Sequence, residues 1–328
     1  MVDTELDHTG RRLLSLLQSG FPLSREPYAD MGLKLGIPGE VVIERIKNLK
    51  LKGIVRQISP ILDARRLNYQ STLVAMKVAG GHIQKAERYL VRHPGISHGY
   101  EREHEFNIWV TLSVPGEQDM PAVLQDLSSS TRAEAVITLP AVRVFKLRTN
   151  FGMDEDSQLE AGIQAGSIPS SAVNLSRTDR RIINSLQDDL PLIADPFAPL
   201  AESLNMSIDR FLQHSRSLLQ RGIIRRYGAS INHYKAGYKA NAMTCWVVPR
   251  RRVEDIGRKL ASFRQISHCY ERETNGLWRY NIYTMVHSGS KTGCAQIITK
   301  MSGDTGLTDY TVLYSTKEFK KTRITYHV

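Results

Sequence analysis

The chain has 328 residues, 41% hydrophobic and 23% charged, a composition ordinary for a soluble globular protein with room for two to four small domains. No apolar run approaches the roughly 18–20 residues of a membrane span, and the first residues, Met-Val-Asp-Thr-Glu-Leu-Asp, lack the basic start and apolar stretch of a secretory signal. Three scattered cysteines (Cys245, Cys269, Cys294) exclude a disulfide framework or a Cys-x-x-Cys metal site, so a cytoplasmic protein is expected.

In chain order, Leu13, Leu14, Leu16 and Leu17, then Val41, Val42, Ile46 and Leu49, form apolar stripes at helical spacing. Gly53 in Lys-Gly-Ile-Val-Arg is placed to end a helix before a strand, the pattern of a winged helix-turn-helix over residues 1–68. Residues 71–78 predict a strand, 82–91 a helix, 97–102 and 105–114 a hairpin, 122–127 a helix and 135–147 a strand. That β-α-β-β-α-β order over 69–150 is a ferredoxin-like sandwich. Residues 151–175, acidic and then rich in Gly, Ser and other small residues, read as a flexible linker. A second helix-turn-helix follows over 176–238 and a second ferredoxin-like unit over 239–328. The fold class expected is α+β, a tandem repeat. The charge is uneven: residues 176–328 hold 24 Lys and Arg against 13 Asp and Glu, within a net charge of +11. This suits a nucleic acid or a small ligand bearing many carboxylates.

The repeat is most exact where it is most polar. Ile-Ser-His-Gly-Tyr-Glu-Arg-Glu at 96–103 returns as Ile-Ser-His-Cys-Tyr-Glu-Arg-Glu at 266–273. Packing alone would preserve size and apolarity, so chemistry is the expected reason. Strand alternation puts His98, Tyr100 and Arg102 on one face and Ser97, Gly99 and Glu101 on the other; His268, Tyr270 and Arg272 oppose Ser267, Cys269 and Glu271 in the same way. Asn107 with Trp109, and Asn281 with Tyr283, belong to the partner strands. His104 has no counterpart in the second half, where Thr274 precedes an insertion carrying Trp278. His8, His82, His93, His214, His233, His287 and His327 show no metal-ligand spacing and are read as structural, and Lys317, Lys320 and Lys321 as a solvated basic end.

Helix-turn-helix followed by βαββαβ, with Gly-Ile-Val-Arg and Leu-Asn-Tyr at the junction, resembles the Lrp/AsnC regulators. The tandem copy and the Ser-His-x-Tyr-Glu-Arg strand resemble more specifically the siroheme decarboxylases, here as a fused two-subunit form. Leu139-Pro140 with Phe145-Lys146-Leu147, and Tyr314-Ser315-Thr316-Lys317-Glu318, resemble the endings of the two subunit types. The resemblance implies a carboxy-lyase that removes carbon dioxide from two acetate side chains of siroheme, giving didecarboxysiroheme for heme or heme d1 synthesis. It implies no cofactor beyond the iron tetrapyrrole substrate, and an internal pseudo-dimer that pairs once more in a homodimeric arrangement or stands alone. Arg102 and Arg272 would orient carboxylates. His98 or His268 would ligate the substrate's iron or donate a proton, assisted by Tyr100 or Tyr270. His104, Asn107, Trp109, Trp278, Tyr280, Asn281 and Tyr283 would bind substrate, the aromatic rings walling a flat cavity between two sheet faces.

The competing class is a DNA-binding regulator, and a third is a heme sensor without catalysis. A groove-facing helix needs neutral or basic residues at its start. The first candidate, beginning Ile37-Pro38-Gly39-Glu40 and reaching Glu44, puts carboxylates there, whereas the second, from Ser207-Ile208-Asp209-Arg210, is more permissive. Arg225, Arg226 and Arg250-Arg251-Arg252 keep nucleic acid in play, but DNA is the weaker expectation.

Overall fold

The computed structural model describes residues 7–147, 166–167, 172–231 and 240–328. The first half contains helices α1 (His8–Ser19), α2 (Pro27–Leu35) and α3 (Gly39–Leu51), followed by strand β1 (Val55–Leu62). Its sandwich unit is β2 (Tyr69–Val78), α4 (Ile83–Arg92), β3 (Ile96–Arg102), β4 (Ile108–Pro115), α5 (Met120–Thr131) and β5 (Ala133–Leu139), continued by β6 (Ala141–Leu147) and β7 (Gly166–Ser167). The second half repeats the order with α6 (Arg177–Leu186), α7 (Ala198–Ser203), α8 (Ile208–Gln220) and β8 (Ile224–Ile231). Its sandwich unit is β9 (Ala240–Trp246), α9 (Val253–Ser262), β10 (Ile266–Arg272), β11 (Ile282–Ser288), α10 (Lys291–Thr305) and β12 (Tyr310–Lys321). The expected α+β tandem architecture is the one observed. Most of the 151–175 linker, the junction at 238/239 and His233 lie outside the described residues.

The two helix-turn-helix units share one apolar core. Leu13, Leu14, Leu17, Ile46 and Ile58 of the first pack in the same cluster as Ile182, Ile183, Phe211 and Leu218 of the second. Asp7 caps α1 by accepting from the Gly10 amide, and Ser176 opens α6 with a capping box closed by Asp179. Gly53 and Gly222 take positive φ (66° and 69°) just past α3 and α8, where a residue with a Cβ would be strained. β1 and β8 then pair antiparallel across the pseudo-dimer, and Arg25 of the first half bridges Asp209 at the start of α8.

The sandwich units are intertwined through their last strands. The expected single strand over 135–147 is interrupted at Pro140, which has no N–H to give to a ladder. β5 stays beside β2 in its own sheet, while β6 crosses to pair with β10 of the other half. β12 makes the same crossing without a break: residues 310–314 pair with β9, and residues 315–321 with β3. The strand order is β5-β2-β4-β3-β12-β9-β11-β10-β6-β7. The outer faces pack on α4 and α5, or on α9 and α10. The inner faces pack on each other through Ala75, Trp109, Ile137 and Leu139 from one sheet and Met243, Cys245, Tyr283 and Leu313 from the other.

Candidate functional site

The two octapeptides form β3 and β10, each lying between a strand of its own half and the strand that crosses from the other, and each carries the same irregularity. In the pairing of β3 with β4 the register slips between Ile96 and His98; in that of β10 with β11 it slips between Ile266 and His268. Ser97 and Ser267 are the extra residues of these β-bulges, which re-aim side chains. The strict alternation expected for the two serines therefore fails. Each serine hydroxyl lies against the imidazole that follows it, Ser97 Oγ at 2.9 Å from His98 Nδ1 and Ser267 Oγ at 2.6 Å from His268 Nδ1. From the bulge onward His98, Tyr100, Arg102 and their counterparts point between the sheets, as expected.

The rows run from a partly accessible histidine end toward a sealed aromatic end. His98 and His268 keep part of their surface accessible. Even so, protein atoms crowd both rings, and loss of hydration is the main cause holding each imidazole at about 4, well below its usual range. Partial access with strong desolvation is the setting of a cleft. Lys321 and Arg56 add to the depression of His98; His98 itself, Lys321 and Arg272 add to that of His268. His268 therefore senses His98, and both sense Lys321, which places the histidine ends of the two rows near one another. Tyr270 stacks beside His268, ring centres 6.1 Å apart, and burial raises its phenol.

The arginines are not equivalent. Arg102 is 4% exposed and its guanidinium donates to the Leu313 carbonyl and the Ser315 hydroxyl, both at 3.0 Å. Arg272 donates to the matching Leu139 carbonyl at 2.8 Å, lies over the rings of Tyr270 and Tyr283 at 4.9 and 5.6 Å, and remains half-buried. Orienting a substrate carboxylate is therefore open to Arg272, while Arg102 sits behind Tyr100, 5.2 Å from its ring centre, and ties β3 to β12.

Beyond the arginines the space closes. Trp278 meets Trp109 at 5.3 Å, His104 at 5.4 Å, Phe106 at 5.7 Å and Tyr280 at 5.1 Å. Trp109, Trp278 and Tyr283 are 1–3% exposed. The flat cavity expected between these rings is filled by the rings themselves, because edge-to-face packing of large side chains buries more apolar surface than an open slot. The residues that break the repeat, His104 and Trp278, are thus partners across the pseudo-dimer. Asn107 and Asn281 are also accounted for. Each amide donates to and accepts from one main-chain unit, Val78 or Val248, at 2.8–3.1 Å, so both clamp strand ends and neither faces the cleft.

Several residues that the sequence left aside belong to the site. His287 Nε2 lies 2.7 Å from Ser267 Oγ, and burial beside His268 holds its imidazole at about 3. Its signal was its position two and four residues after Met285 and Tyr283 on the inward face of β11. Lys321, expected to be solvated, is mostly enclosed and its ammonium is depressed by burial. Lys317 pairs with Glu87 at 2.5 Å, and Lys320 donates to the His93 carbonyl at 2.7 Å at the end of α4. Arg56 bridges Glu318 at 2.8 Å, Arg225 pairs with Asp63 at 2.7 Å, and Arg65 donates to the Ala141 carbonyl. Arg65 and Arg225 extend the positive field over Arg272 and Tyr270 respectively. No cluster of metal-ligating side chains occurs among the described residues.

A duplicated chain of this architecture, with an inward His-Tyr-Arg row in each half, is an AsnC-type ligand-binding protein. The AsnC-like ligand binding domain matches at residues 66–146 and 235–320, and the siroheme decarboxylase NirDL-like HTH domain at 10–56 and 179–225. A siroheme decarboxylase of Hydrogenobacter thermophilus is 34% identical over 96% of this chain and 94% of its own. A siroheme decarboxylase beta subunit of Methanosarcina barkeri is 38% identical over 46% of this chain and 99% of its own, as expected if one half corresponds to one subunit. The crystal structure of the siroheme decarboxylase NirDL in co-complex with an iron-uroporphyrin III analogue superposes with a TM-score of 0.75 at 32% identity, covering 98% of this chain and 95% of that one. The chain belongs to the siroheme decarboxylase family, and is a carboxy-lyase.

Proposed function

We propose that the chain removes carboxyl groups from two acetate side chains of siroheme, giving didecarboxysiroheme, in the composite cleft between β3 and β10. The observation that carries the reading is the convergence of His98 and His268 on one desolvated, partly accessible cleft under Lys321. Arg272, Arg65, Lys321 and Arg56 give that cleft a positive excess suited to a substrate with many carboxylates. The related structure bound to an iron-uroporphyrin III analogue supports a planar iron tetrapyrrole as the occupant.

The chemistry then divides between the rows. When the carboxylate leaves as carbon dioxide, the electron pair stays on the methylene carbon and spreads into the macrocycle. One proton on that carbon completes the methyl group, and the reaction is redox-neutral. Arg272, fixed between two rings and a carbonyl, orients a substrate carboxylate. His268 is the proton donor, because its ring stacks beside Tyr270 and shares its row with Arg272, the arginine that keeps access to the cleft. His98, whose Nδ1 is held by Ser97, is the ligand for the substrate's iron; a hydrogen bond at the distal nitrogen is the usual means of fixing such a ring. Tyr270 walls the donor, and its raised phenol stays protonated.

A DNA-binding role is disfavoured by the use of both helix-turn-helix units to build one core, with the start of α8 tied to Arg25. Anaerobic incubation of the pure protein with siroheme, read by mass spectrometry, tests the reading against a heme sensor. Loss of two carboxyl groups is expected. Bound, unchanged siroheme would make the protein a sensor.

A further inference from the structure

The second half contains a feature that the first lacks. Ser267 Oγ lies 2.6 Å from His268 Nδ1 and 2.7 Å from His287 Nε2, so one hydroxyl joins two imidazoles. Ser267 is 2% exposed, and the bulge in β10 holds it in place. A serine hydroxyl donates one proton and accepts others, which makes it a competent link between a ring nitrogen that donates and one that accepts. In the first half Ser97 reaches His98 only among these groups. The position matching His287 is Ser113, which bonds to Ser71 at 2.6 Å.

We propose that His287–Ser267–His268 is a proton relay serving the decarboxylation, an inference that rests on His268 being the proton donor. As the carbon–carbon bond to the carboxylate breaks and carbon dioxide departs, the His268 Nε2 proton passes to the methylene carbon. The Ser267 hydroxyl proton moves to His268 Nδ1, and the His287 Nε2 proton moves to the Ser267 oxygen. His287 takes a proton at Nδ1, supplied ultimately by solvent water. The net change is one proton consumed and one carbon dioxide released for each acetate converted to methyl, with no oxidant or reductant. His268 is the residue that touches substrate; Ser267 and His287 act through it. The relay explains how a donor in a desolvated cleft, held neutral near pH 7, gives up its Nε2 proton without becoming an anion and without admitting water to the reacting carbon. Between the two acetates the chain runs in reverse, Nε2 taking a proton from solvent and His287 Nδ1 returning one, which restores the starting tautomers with no net change.

The test is single-turnover decarboxylation of siroheme in mixtures of light and heavy water, with substrate affinity followed by absorbance titration. The wild type is expected to show a curved dependence on deuterium fraction, because more than one proton moves in the step. Ser267→Ala and His287→Gln should each lower the rate about 10- to 100-fold with affinity retained, and the dependence should become linear. Ser267→Thr should restore rate and curvature, and added imidazole should restore His287→Ala. Wild-type rates in both Ser267→Ala and His287→Gln, or slow variants that keep the curvature, would overturn the relay. Full turnover in His268→Ala would instead overturn the donor assignment on which it rests.

Discussion

The two His-Tyr-Arg rows are nearly identical in sequence and differ in what surrounds them. In the first row, Arg102 is sealed in the core on the Leu313 carbonyl, and His98 lies under Lys321 and Arg56. In the second, Arg272 keeps access to the cleft and His268 is linked through Ser267 to a second imidazole. The difference teaches that a duplicated motif divides its labour through its neighbours, not through its own residues. The ends of β6 and β12 make the point directly: Leu147 stands opposite His268 where Lys321 stands opposite His98. His268 thereby faces an apolar strand end and His98 a buried cation across the ladder, although both imidazoles sense that cation.

The comparison is broken most sharply at the imidazoles. His268→Ala should lower the rate of decarboxylation by about 10²- to 10⁴-fold, the usual worth of a positioned proton donor, with siroheme still bound. His98→Ala should instead weaken binding and shift the siroheme absorbance band, measured by titration. Equal and similar losses from both would mean that the rows are functionally symmetric. The arginines come next. Arg102→Ala leaves a buried carbonyl without its charged donor and should cost about 1–3 kcal/mol of stability, read from denaturant unfolding. Arg272→Ala should cost less stability and appear mainly as roughly tenfold weaker siroheme binding.

The pH dependence of stability sharpens the shared-cleft account. His98 and His268 are held at about 4 and His287 at about 3 by burial, against about 6.5 in an unfolded chain. Between those values the unfolded chain binds more protons than the folded one, so stability rises with pH through this window. Unfolding free energy should fall as pH drops from about 6.5 toward about 4, and replacing the three histidines should flatten that slope. The smallest effect is expected at Asn107 and Asn281. Alanine at either should cost on the order of 1 kcal/mol through the lost clamp on Val78 or Val248, with siroheme affinity unchanged by titration.

Much of this is legible in the sequence alone. The repeat, the βαββαβ order and the common face of His98, Tyr100 and Arg102 all follow from periodicity. What was not legible depends on backbone register and on contacts between the halves. The bulges at Ser97 and Ser267 add a residue without any sequence mark, and they turn two outward serines toward imidazoles. The one difference in the octapeptide, Gly99 against Cys269, is a packing matter. A Cβ at Gly99 would run into the ring of Phe319, whereas the matching ring of Phe145 sits against Gly257 in α9 and leaves room for Cys269. Glu87 occupies the position matching Gly257, so the space for each phenylalanine comes from a glycine on a different element. Strand alternation gives the face of the aromatic residues but not their depth, so it does not distinguish cavity walls from a filled core. Trp278 was visible as an insertion, and its contact with His104 required the two hairpins to meet.

The central claim is that the second row carries the proton chemistry. It is tested most directly by mass spectrometry of siroheme after anaerobic single turnover with His268→Ala beside the wild type. The account predicts two carboxyl groups lost with the wild type and intact siroheme, still bound, with the variant. Didecarboxysiroheme formed by His268→Ala at the wild-type rate would contradict it.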